Sequence, residues 1–314
     1  AAVTDFLRKR PYRLLCTATA APNDYIELGT SSEALGELGA VDMLGRFFKK
    51  VEKTLSRKDE YSAGTYRFRG HAEEHFWRWV CSWARAIRKP SDMQCEDGAF
   101  QLPPLTVQRH VVKAKTLRSG YLFEMPAQGL EEQREDLRRT VGERCEQAAA
   151  LVNAHQRAAV VWCNLNVEGE RLTKDIRGAV EVSGKDPEEH KEEVFRSFVE
   201  GKIRVLVTKS RIGGFGLNLQ HCAHMTFFPS HSYEQYYQSV RRCWRFGQTS
   251  PVVVDMVTTE GQTSVLENLQ RKNAQADDMF TRLVAMMWQG LQVHRENGYV
   301  HQERRPAWLS KIKS

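Results

Sequence analysis

The chain has 314 residues, of which 41% are hydrophobic and 27% charged, the composition of a soluble globular protein. Lysine and arginine total 46 against 39 aspartate and glutamate, which gives a formal net charge of +7 at pH 7. The length allows two domains of ordinary size, or one large domain with an insertion. The excess of positive charge suits a polyanionic partner and equally suits a solvated basic surface.

Cysteine usage and hydropathy argue against several classes of protein. The seven cysteines form no CxxC pair, so neither a zinc ribbon nor a disulfide framework is indicated. Reduced thiols and a cytoplasmic location are therefore expected. No apolar run approaches the roughly 18 residues that span a bilayer, and the N-terminus lacks the features of a signal peptide. The opening residues are typical of the middle of a domain.

The first third of the chain is predicted to be mostly helical. Residues 12–16 (YRLLC) form a short apolar run before a polar cluster, which predicts a buried strand. A helix is predicted near residues 33–38, and helical spacing of apolar residues continues through 41–58. Residues 71–89 carry an apolar stripe at helical spacing and predict another helix. Residues 41–105 are therefore expected to be a helical insertion or linker.

Strands and helices alternate in the remainder of the chain. A strand over residues 107–114 and a charged helix over 131–153 begin the series. The later strands are predicted at residues 158–163, 179–183, 203–208, 224–229 and 252–258. The later helices are predicted at residues 168–176, 187–200, 233–246 and 263–289. This alternation is typical of an α/β fold in which a parallel sheet is covered by helices on both faces. Ligands of such sheets bind at the carboxyl ends of the strands, here the loops after Cys163, Thr208 and Pro229.

A glycine-rich turn follows the strand that ends near Thr208. Gly213, Gly214 and Gly216 would let backbone N–H groups approach an anion, and Asn218 could bond back to the turn. The same pattern is also typical of a tight turn that binds nothing. The glycines by themselves leave both interpretations open.

The helix predicted from residue 233 carries regularly spaced polar side chains. Gln238, Arg242 and Arg245 lie at i, i+4 and i+7 and would share one face, with Gly247 and Gln248 closing the helix. Two arginines on one face suit the stabilisation of charge on a transferred phosphoryl group. A solvated basic stripe is the alternative.

The stretch QSVRRCWRFGQ at residues 238–248 resembles motif VI of superfamily-two helicases, in the Q-x-x-x-R-x-x-R-x-G-Q form of Swi/Snf-type ATPases. Residues 208–219 resemble motif V, AAVVWC with the following Asn164 is similar to motif IV, and LCTATAAPND at 15–24 resembles motif III. The sequences of residues 70–92 and 231–248 look most like the phage and prophage branch of DEAD/DEAH-type helicases. The motifs keep the family order across most of the chain.

The resemblance implies a division of the chain and a role for particular residues. Residues 1–40 would end a first RecA-like lobe, 41–105 would be the insertion, 106–290 a RecA-like second lobe and 291–314 a basic tail. Arg242 and Arg245 would be arginine fingers that reach ATP held mainly by the first lobe. Nucleotide binding or coupling would involve Gln238, Gly214, Gly216, Asn218, Gln248, Thr17 and Thr19. Nucleic-acid contacts would involve Thr208, Lys209 and Asn164.

The sequence departs from the complete family pattern. It contains no GxxxxGK[ST] and no DEAH-like acid pair, so ATP and Mg²⁺ are expected to bind only when a first lobe is joined in cis or as a separate subunit. The chain alone is expected to be inactive. Arg241 stands where motif VI usually has an acid, and Ala20-Ala21-Pro22 where relatives often have a proline one place earlier.

The resemblance also implies a partner and a place of action. The implied partner is DNA, contacted mainly at its phosphates, in a bacterial or phage-infected cell. The alternative from another class is a non-catalytic nucleic-acid-binding or regulatory module that keeps the second-lobe fold. A generic nucleotide-binding α/β protein is disfavoured, since no G-x-G-x-x-G follows a first strand.

Three smaller patterns have competing interpretations. His71 and His75 are four residues apart, but without a third ligand they predict an ordinary polar helix start and no metal site. The aromatic residues from Phe76 to Trp83 are predicted to pack in a core, with Trp77 the exception that could stack on bases. The lysines between residues 49 and 58 suit a DNA-facing surface and a solvated face equally.

Overall fold

A computed structural model describes residues 2–21, 24–51, 66–115, 130–214 and 216–296. The chain separates into two units, here called unit 1 (Ala1–Arg88 and Asp277–Ser314) and unit 2 (Lys89–Ala276). The division into a lobe end, an insertion, a second lobe and a tail stays a prediction. Among the described residues, no helix combines the length and the apolar character needed to cross a bilayer.

Unit 1 joins short helices to a small antiparallel strand pair. Its elements in order are α1 (Ala2–Arg8), α2 (Leu28–Leu35), α3 (Ala40–Phe47), β1 (Phe48–Lys50), β2 (Tyr66–Phe68) and α4 (Ala72–Trp83). The helix predicted over residues 41–58 therefore ends at Phe47. The residues that follow pair with β2, because the aromatic side chains of both strands reach one core from an extended backbone.

Two predictions for unit 1 are wrong. Residues 12–16 form no strand, and Tyr12 and Leu14 are 93% and 84% exposed, because no strand in the described part of unit 1 pairs with them. Trp77 is only 1% exposed and does not present a face for bases. Its ring packs edge-on against Tyr25 and Phe76, each at a centroid distance of 5.0 Å, so that it belongs to the core.

Unit 2 is built on a parallel sheet of six strands, which confirms the predicted α/β fold. The strands are β3 (Leu105–Val112), β4 (Ala159–Cys163), β5 (Ala179–Val182), β6 (Val205–Lys209), β7 (His224–Phe227) and β8 (Val252–Thr259). They lie in the order β3-β8-β7-β4-β6-β5, and each neighbouring pair is parallel. Their valine-rich sequences suit burial on both faces.

Helices cover both faces of this sheet. The helices that follow β3 are α5 (Leu130–Arg139), α6 (Val141–Asn153), α7 (Asn166–Asp175), α8 (Glu188–Val199), α9 (Ser210–Gly213), α10 (Tyr233–Cys243) and α11 (Thr263–Glu296), of which the residues from Asp277 onward belong to unit 1. Buried residues of α6 and α7 pack on one face, and those of α8 and α10 on the other. The single helix predicted over residues 131–153 is broken at Thr140, which lies between α5 and α6.

Candidate functional site

The loops after β4, β6 and β7 lie together at the carboxyl edge of the sheet. The side-chain amide of Asn164 donates to the carbonyl oxygens of Phe228 and Pro229 at 3.1 and 3.3 Å. The Lys209 ammonium donates to Asn166 Oδ1 at 2.5 Å. The prediction that these loops gather at one edge is confirmed, and it places Asn164 and Lys209, both partly exposed, near each other.

Thr208 does not join this surface. Its side chain is 1% exposed, and its hydroxyl donates to the Val182 carbonyl oxygen of the neighbouring strand at 2.8 Å. Side chains alternate along a strand, and Thr208 points to the same buried face of the sheet as Leu206. The Thr208 side chain is thus engaged within the sheet, and its contact with a nucleic acid stays a prediction.

The glycine-rich turn has a conformation that side chains would disrupt. A Cβ atom at Gly214 would collide with the carbonyl oxygen of Ser210, to which the Gly214 N–H donates at 2.9 Å. Gly216 has a positive φ of 76°, a region that glycine adopts without strain. The tight turn accounts for both glycines. Their approach to an anion stays a prediction.

A buried hydroxyl pair joins this turn to α10. Ser239 on α10 donates to the hydroxyl of Ser210 at 2.9 Å, and both side chains are buried. The pattern of the sequence did not identify these residues, because serines 29 positions apart carry no signal that they meet. Their contact fixes the start of α9 against the helix that carries Arg242.

Arg242 uses all three of its side-chain nitrogens within the protein. Its Nε and Nη2 donate to the backbone oxygen and the Oε1 of Gln238 at 3.2 and 2.9 Å. Its Nη1 donates to the carbonyl oxygen of Leu217 at 3.2 Å. Burial, and to a smaller extent the charge of Arg245, lower the pKa of Arg242. Gln238 and Arg242 are thus brought together as predicted, and each side-chain nitrogen of Arg242 donates one bond, to Gln238 or to the loop after α9.

Arg245 lies beyond the end of α10, so the prediction that it shares a helical face with Gln238 and Arg242 is wrong. The helix ends at Cys243, and the next residue, Trp244, turns away and donates from its indole N–H to the Pro103 carbonyl oxygen at 2.7 Å. That bond joins Trp244 to Pro103, just before β3, and the spacing of residues in the sequence could not indicate this contact. The chain continues into a turn in which the Gln248 N–H donates to the Arg245 carbonyl oxygen.

Arg245 nevertheless reaches the same loop as Arg242. Its Nη1 donates to the Leu217 carbonyl oxygen at 3.4 Å and to the side-chain oxygen of Asn218. Asn218 thus bonds to Arg245, whereas bonding back to the turn was predicted. Within the part of the chain that the structure describes, Nε and Nη2 of Arg245 have no protein acceptor. These donors fit an anionic oxygen such as that of a phosphoryl group.

Gln248 has a structural position. It is buried, and its side-chain N–H groups donate to the carbonyl oxygens of Cys222 and Cys243 at 3.1 and 3.2 Å. Its Oε1 accepts from the Ser250 N–H at 2.9 Å. These bonds hold the turn after α10 to the end of that helix and to the segment before β7, and the role of Gln248 in nucleotide binding stays a prediction.

The predicted pair Thr17 and Thr19 belongs to unit 1. The Thr19 N–H donates to the Thr17 hydroxyl at 3.1 Å, and Thr17 is exposed. Their predicted role in nucleotide binding or coupling stays a prediction. Among the described residues, no group of three or more histidine, cysteine, aspartate or glutamate side chains could hold a metal ion.

A buried ion pair supports the loop that carries Asn164. Arg144 on α6 and Glu168 on α7 are fully buried, with Arg144 Nη1 and Glu168 Oε1 at 2.6 Å. The other Glu168 oxygen accepts from the N–H groups of Asn164 and Leu165 at 2.8 and 2.9 Å. The pair therefore holds the end of β4 against the start of α7. Sequence patterns missed it, because charged residues on an amphipathic helix are expected to face solvent.

Residues 143–247 match the model of the helicase conserved C-terminal domain. The match covers about a third of the chain and includes Asn164, the glycine-rich turn and both arginines of motif VI. This part of the chain, in its α/β setting, is therefore similar to the C-terminal lobe of helicases. No curated protein matches the chain.

Two solved structures are similar to part of the chain. One is the C-terminal part of the Fun30 ATPase domain, with 16% identity over 45% of this chain and a TM-score of 0.38. The other is a DEAD box protein from the hyperthermophile Methanococcus jannaschii, with 19% identity over 41% of this chain and a TM-score of 0.37. The aligned parts span 54% and 36% of those structures. Likeness at these TM-scores supports no conclusion about this chain.

Proposed function

We propose that this chain is the C-terminal part of an ATP-dependent DNA helicase or translocase of superfamily two, of the Swi/Snf-like type found in phages and prophages. Its second lobe would act on ATP and Mg²⁺ held mainly by a first lobe, in the cytoplasm of a bacterial or phage-infected cell. The match of residues 143–247 to the helicase C-terminal domain supports the proposal. The observation that carries it is the position of Arg245.

Arg245 is the better candidate for direct contact with the transferred phosphoryl group. It is partly exposed, and two of its nitrogens have no acceptor in the described part of the protein. Every side-chain nitrogen of Arg242 already donates one bond, to Gln238 or Leu217, so this guanidinium is held more firmly in place than that of Arg245. We therefore assign Arg245 as the principal finger and Arg242 as a second finger that also positions the loop.

The loop at Leu217 and Asn218 would couple the nucleotide to DNA. Both arginines donate to the Leu217 carbonyl oxygen, so movement of Arg245 toward a phosphoryl group would release one of its bonds to this loop. The loop follows the turn after β6, whose last residue is Lys209. Movement of either arginine would thus be transmitted along a short stretch of chain to Lys209, which faces the nucleic acid in this proposal.

Contacts with DNA would be made by Lys209 and Asn164 at the carboxyl edge of the sheet. A lysine ammonium binds a phosphate oxygen as a point charge, and the Asn164 amide would donate to the same backbone after releasing one of its bonds to Phe228 and Pro229. Neither group reads a base by itself. Binding at this edge would be salt-dependent and largely independent of sequence.

The test is DNA-stimulated ATP hydrolysis by this chain combined with a first lobe, in one polypeptide or as an added subunit. We expect Arg245→Ala to reduce the turnover rate about 10³-fold or more, with DNA affinity little changed. Arg241→Ala is the matched control, because Arg241 lies four residues before Arg245, near the end of α10, and its guanidinium lies over the rings of Tyr237 and Trp244. We expect the control to retain most of the activity.

The outcomes separate the proposal from its alternative. Full turnover in the Arg245→Ala protein would overturn the finger assignment. DNA binding without ATP hydrolysis in every combination would favour a non-catalytic module with the second-lobe fold. Loss of activity in both variants, accompanied by a lower melting temperature, would indicate a damaged helix and contradict the specific role of Arg245.

A further inference from the structure

Two cations lie directly opposite each other on the small strand pair of unit 1. The register of β1 and β2 places Lys49 across from Arg67, and both side chains are exposed. Side chains at opposed positions of an antiparallel pair have Cβ atoms about 5 Å apart, and like charges placed there destabilise the pair. This arrangement lowers the stability of the strand pair in the absence of an anion.

The register cannot shift to relieve this repulsion. Phe48 and Phe68 are also directly opposed, and their rings stack at a centroid distance of 4.6 Å. Both rings contact Phe76 of α4 in the core of unit 1. Because side chains alternate along a strand, burying these two phenylalanines fixes Lys49 and Arg67 on the outer face.

Among the described residues, no acidic side chain pairs with Lys49 or Arg67. The two acids in the first turn of α4 are paired with other arginines. Glu74 lies 2.6 Å from Arg78, and Glu73 lies 2.9 Å from Arg282. Among the described residues, therefore, no acid compensates the positive charge on the outer face of β1 and β2.

We propose that this face, defined by Lys49 and Arg67, is a second binding site for the phosphate backbone of duplex DNA. Lysine and arginine supply charge-assisted hydrogen bonds to phosphodiester oxygens, and an anion between them removes the like-charge repulsion. The inference rests on the proposed function only in taking DNA as the polyanion. It requires neither ATP hydrolysis nor Arg245.

The chemistry of the site favours an extended polyanion over a single acidic side chain. Duplex DNA carries about one charge per 1.7 Å of axis, so several phosphates pass within reach of two fixed cations. The face has no exposed aromatic or amide group at the opposed positions that could read a base. It would add affinity without sequence preference and would hold unit 1 to the DNA independently of the sheet edge in unit 2.

The test compares duplex-DNA affinity of the full chain with that of a Lys49→Gln/Arg67→Gln double variant over a range of salt concentrations. Each phosphate contact contributes about 0.9 to the slope of log K against log[salt], so we expect the slope to fall by about 1.8. Affinity at 0.1 M salt should fall on the order of 10-fold or more. The melting temperature without DNA should rise or stay unchanged, because a repulsive pair has been removed.

Two further variants make the comparison specific. Lys174→Gln/Arg177→Gln removes the same charge from exposed positions at the end of α7 and in the loop after it, and we expect it to leave the slope nearly unchanged. Lys49→Arg/Arg67→Lys keeps both charges and should retain binding. Loss of binding in this swapped variant, or equal losses in the two neutralised variants, would overturn the inference.

The remaining outcomes distinguish this inference from the proposed function. If the unaltered chain does not bind duplex DNA, both are overturned. If the unaltered chain binds and the Lys49→Gln/Arg67→Gln variant binds equally well, only the second site is overturned. If the Lys49→Gln/Arg67→Gln variant loses affinity for duplex RNA but keeps the affinity of the unaltered chain for duplex DNA, the assignment of DNA as the partner of this face is overturned.

Discussion

Arg242 donates from Nη1 to the carbonyl oxygen of Leu217 at 3.2 Å and so ties the last turn of α10 to the loop before β7. The same arginine is held along its own helix by Gln238. A backbone carbonyl that accepts from a charged guanidinium forms one of the stronger hydrogen bonds in proteins. The loop and the end of α10 are therefore expected to move together.

Replacing the two arginines by lysine should separate their roles. A lysine at position 242 carries all its N–H donors on one nitrogen and cannot span the Gln238 and Leu217 acceptors, so we expect Arg242→Lys to lower the free energy of unfolding by about 1–3 kcal/mol as well as the ATPase rate. Arg245→Lys should lower the ATPase rate with little effect on stability. Chemical denaturation and steady-state kinetics on the two variants measure both quantities. Equal loss of stability in the two would contradict this distinction.

Gly214→Ala should disrupt the turn after β6. The added methyl group collides with the Ser210 carbonyl oxygen, and overpacking of this kind costs about 1–3 kcal/mol or more. Gly45→Ala is the control, because Gly45 lies in α3 with open space around the new Cβ, where alanine should stabilise the helix by about 1 kcal/mol. Thermal denaturation of both variants tests the expectation. A stabilising Gly214→Ala change would show that the turn does not need glycine.

Arg144→Met should be strongly destabilising. It leaves Glu168 buried without its charge partner, a situation that costs about 3–5 kcal/mol. The exposed ion pairs of Arg171 with Glu146 and Asp175 provide the control, since Arg171→Met should cost no more than about 1 kcal/mol. Urea denaturation gives both values. The Arg144→Met/Glu168→Leu double variant should recover part of the lost free energy of unfolding. If it does not, the loss in Arg144→Met comes from altered packing and not from the unpaired charge of Glu168.

Stability should fall between about pH 6.5 and pH 4 because of His155. Its Nε2 lies 2.9 Å from Nδ1 of His224, whose Nε2 lies 2.6 Å from Asp255 Oδ2. Burial, and then the neighbouring His224, lower the pKa of His155 to about 4. The unfolded chain, with a histidine pKa near 6.5, therefore binds more protons in this window, and stability falls as pH falls.

Replacing this imidazole tests the assignment. We expect His155→Gln to reduce the slope of unfolding free energy against pH between pH 6.5 and 4, measured by urea denaturation at several pH values. A further loss below this window should persist in the variant. Burial raises the pKa of Asp255, but hydrogen bonds with His224 and His110 outweigh this effect, so the pKa is lowered overall. Protonation of Asp255 therefore destabilises the fold. An unchanged slope would contradict the role of His155.

Local sequence determined where the strands of unit 2 lie. The segments that form β4 and β6 are valine-rich and bounded by polar residues. This composition predicts strands buried on both faces, without knowledge of which strands pair with them. The parallel arrangement, and the gathering of Asn164 and Lys209 at one edge, follow from the alternation of strands with helices. The motif VI residues were also identified by spacing within one short stretch.

Tertiary structure alone decided the features that depend on distant partners. The helical pattern of residues 41–58 could not reveal that Phe48 lies outside α3 and stacks on Phe68. The pattern of residues 233–246 could not reveal that α10 ends before Arg245, where Trp244 donates to Pro103. These contacts join residues 20 and 141 positions apart. Propensity and periodicity act over a few residues, whereas such contacts are selected by how the whole core packs. For that reason the sequence by itself determined the elements and the candidate arginines. Only the tertiary structure decided that, among the described residues, every side-chain nitrogen of Arg242 has an acceptor while Nε and Nη2 of Arg245 have none.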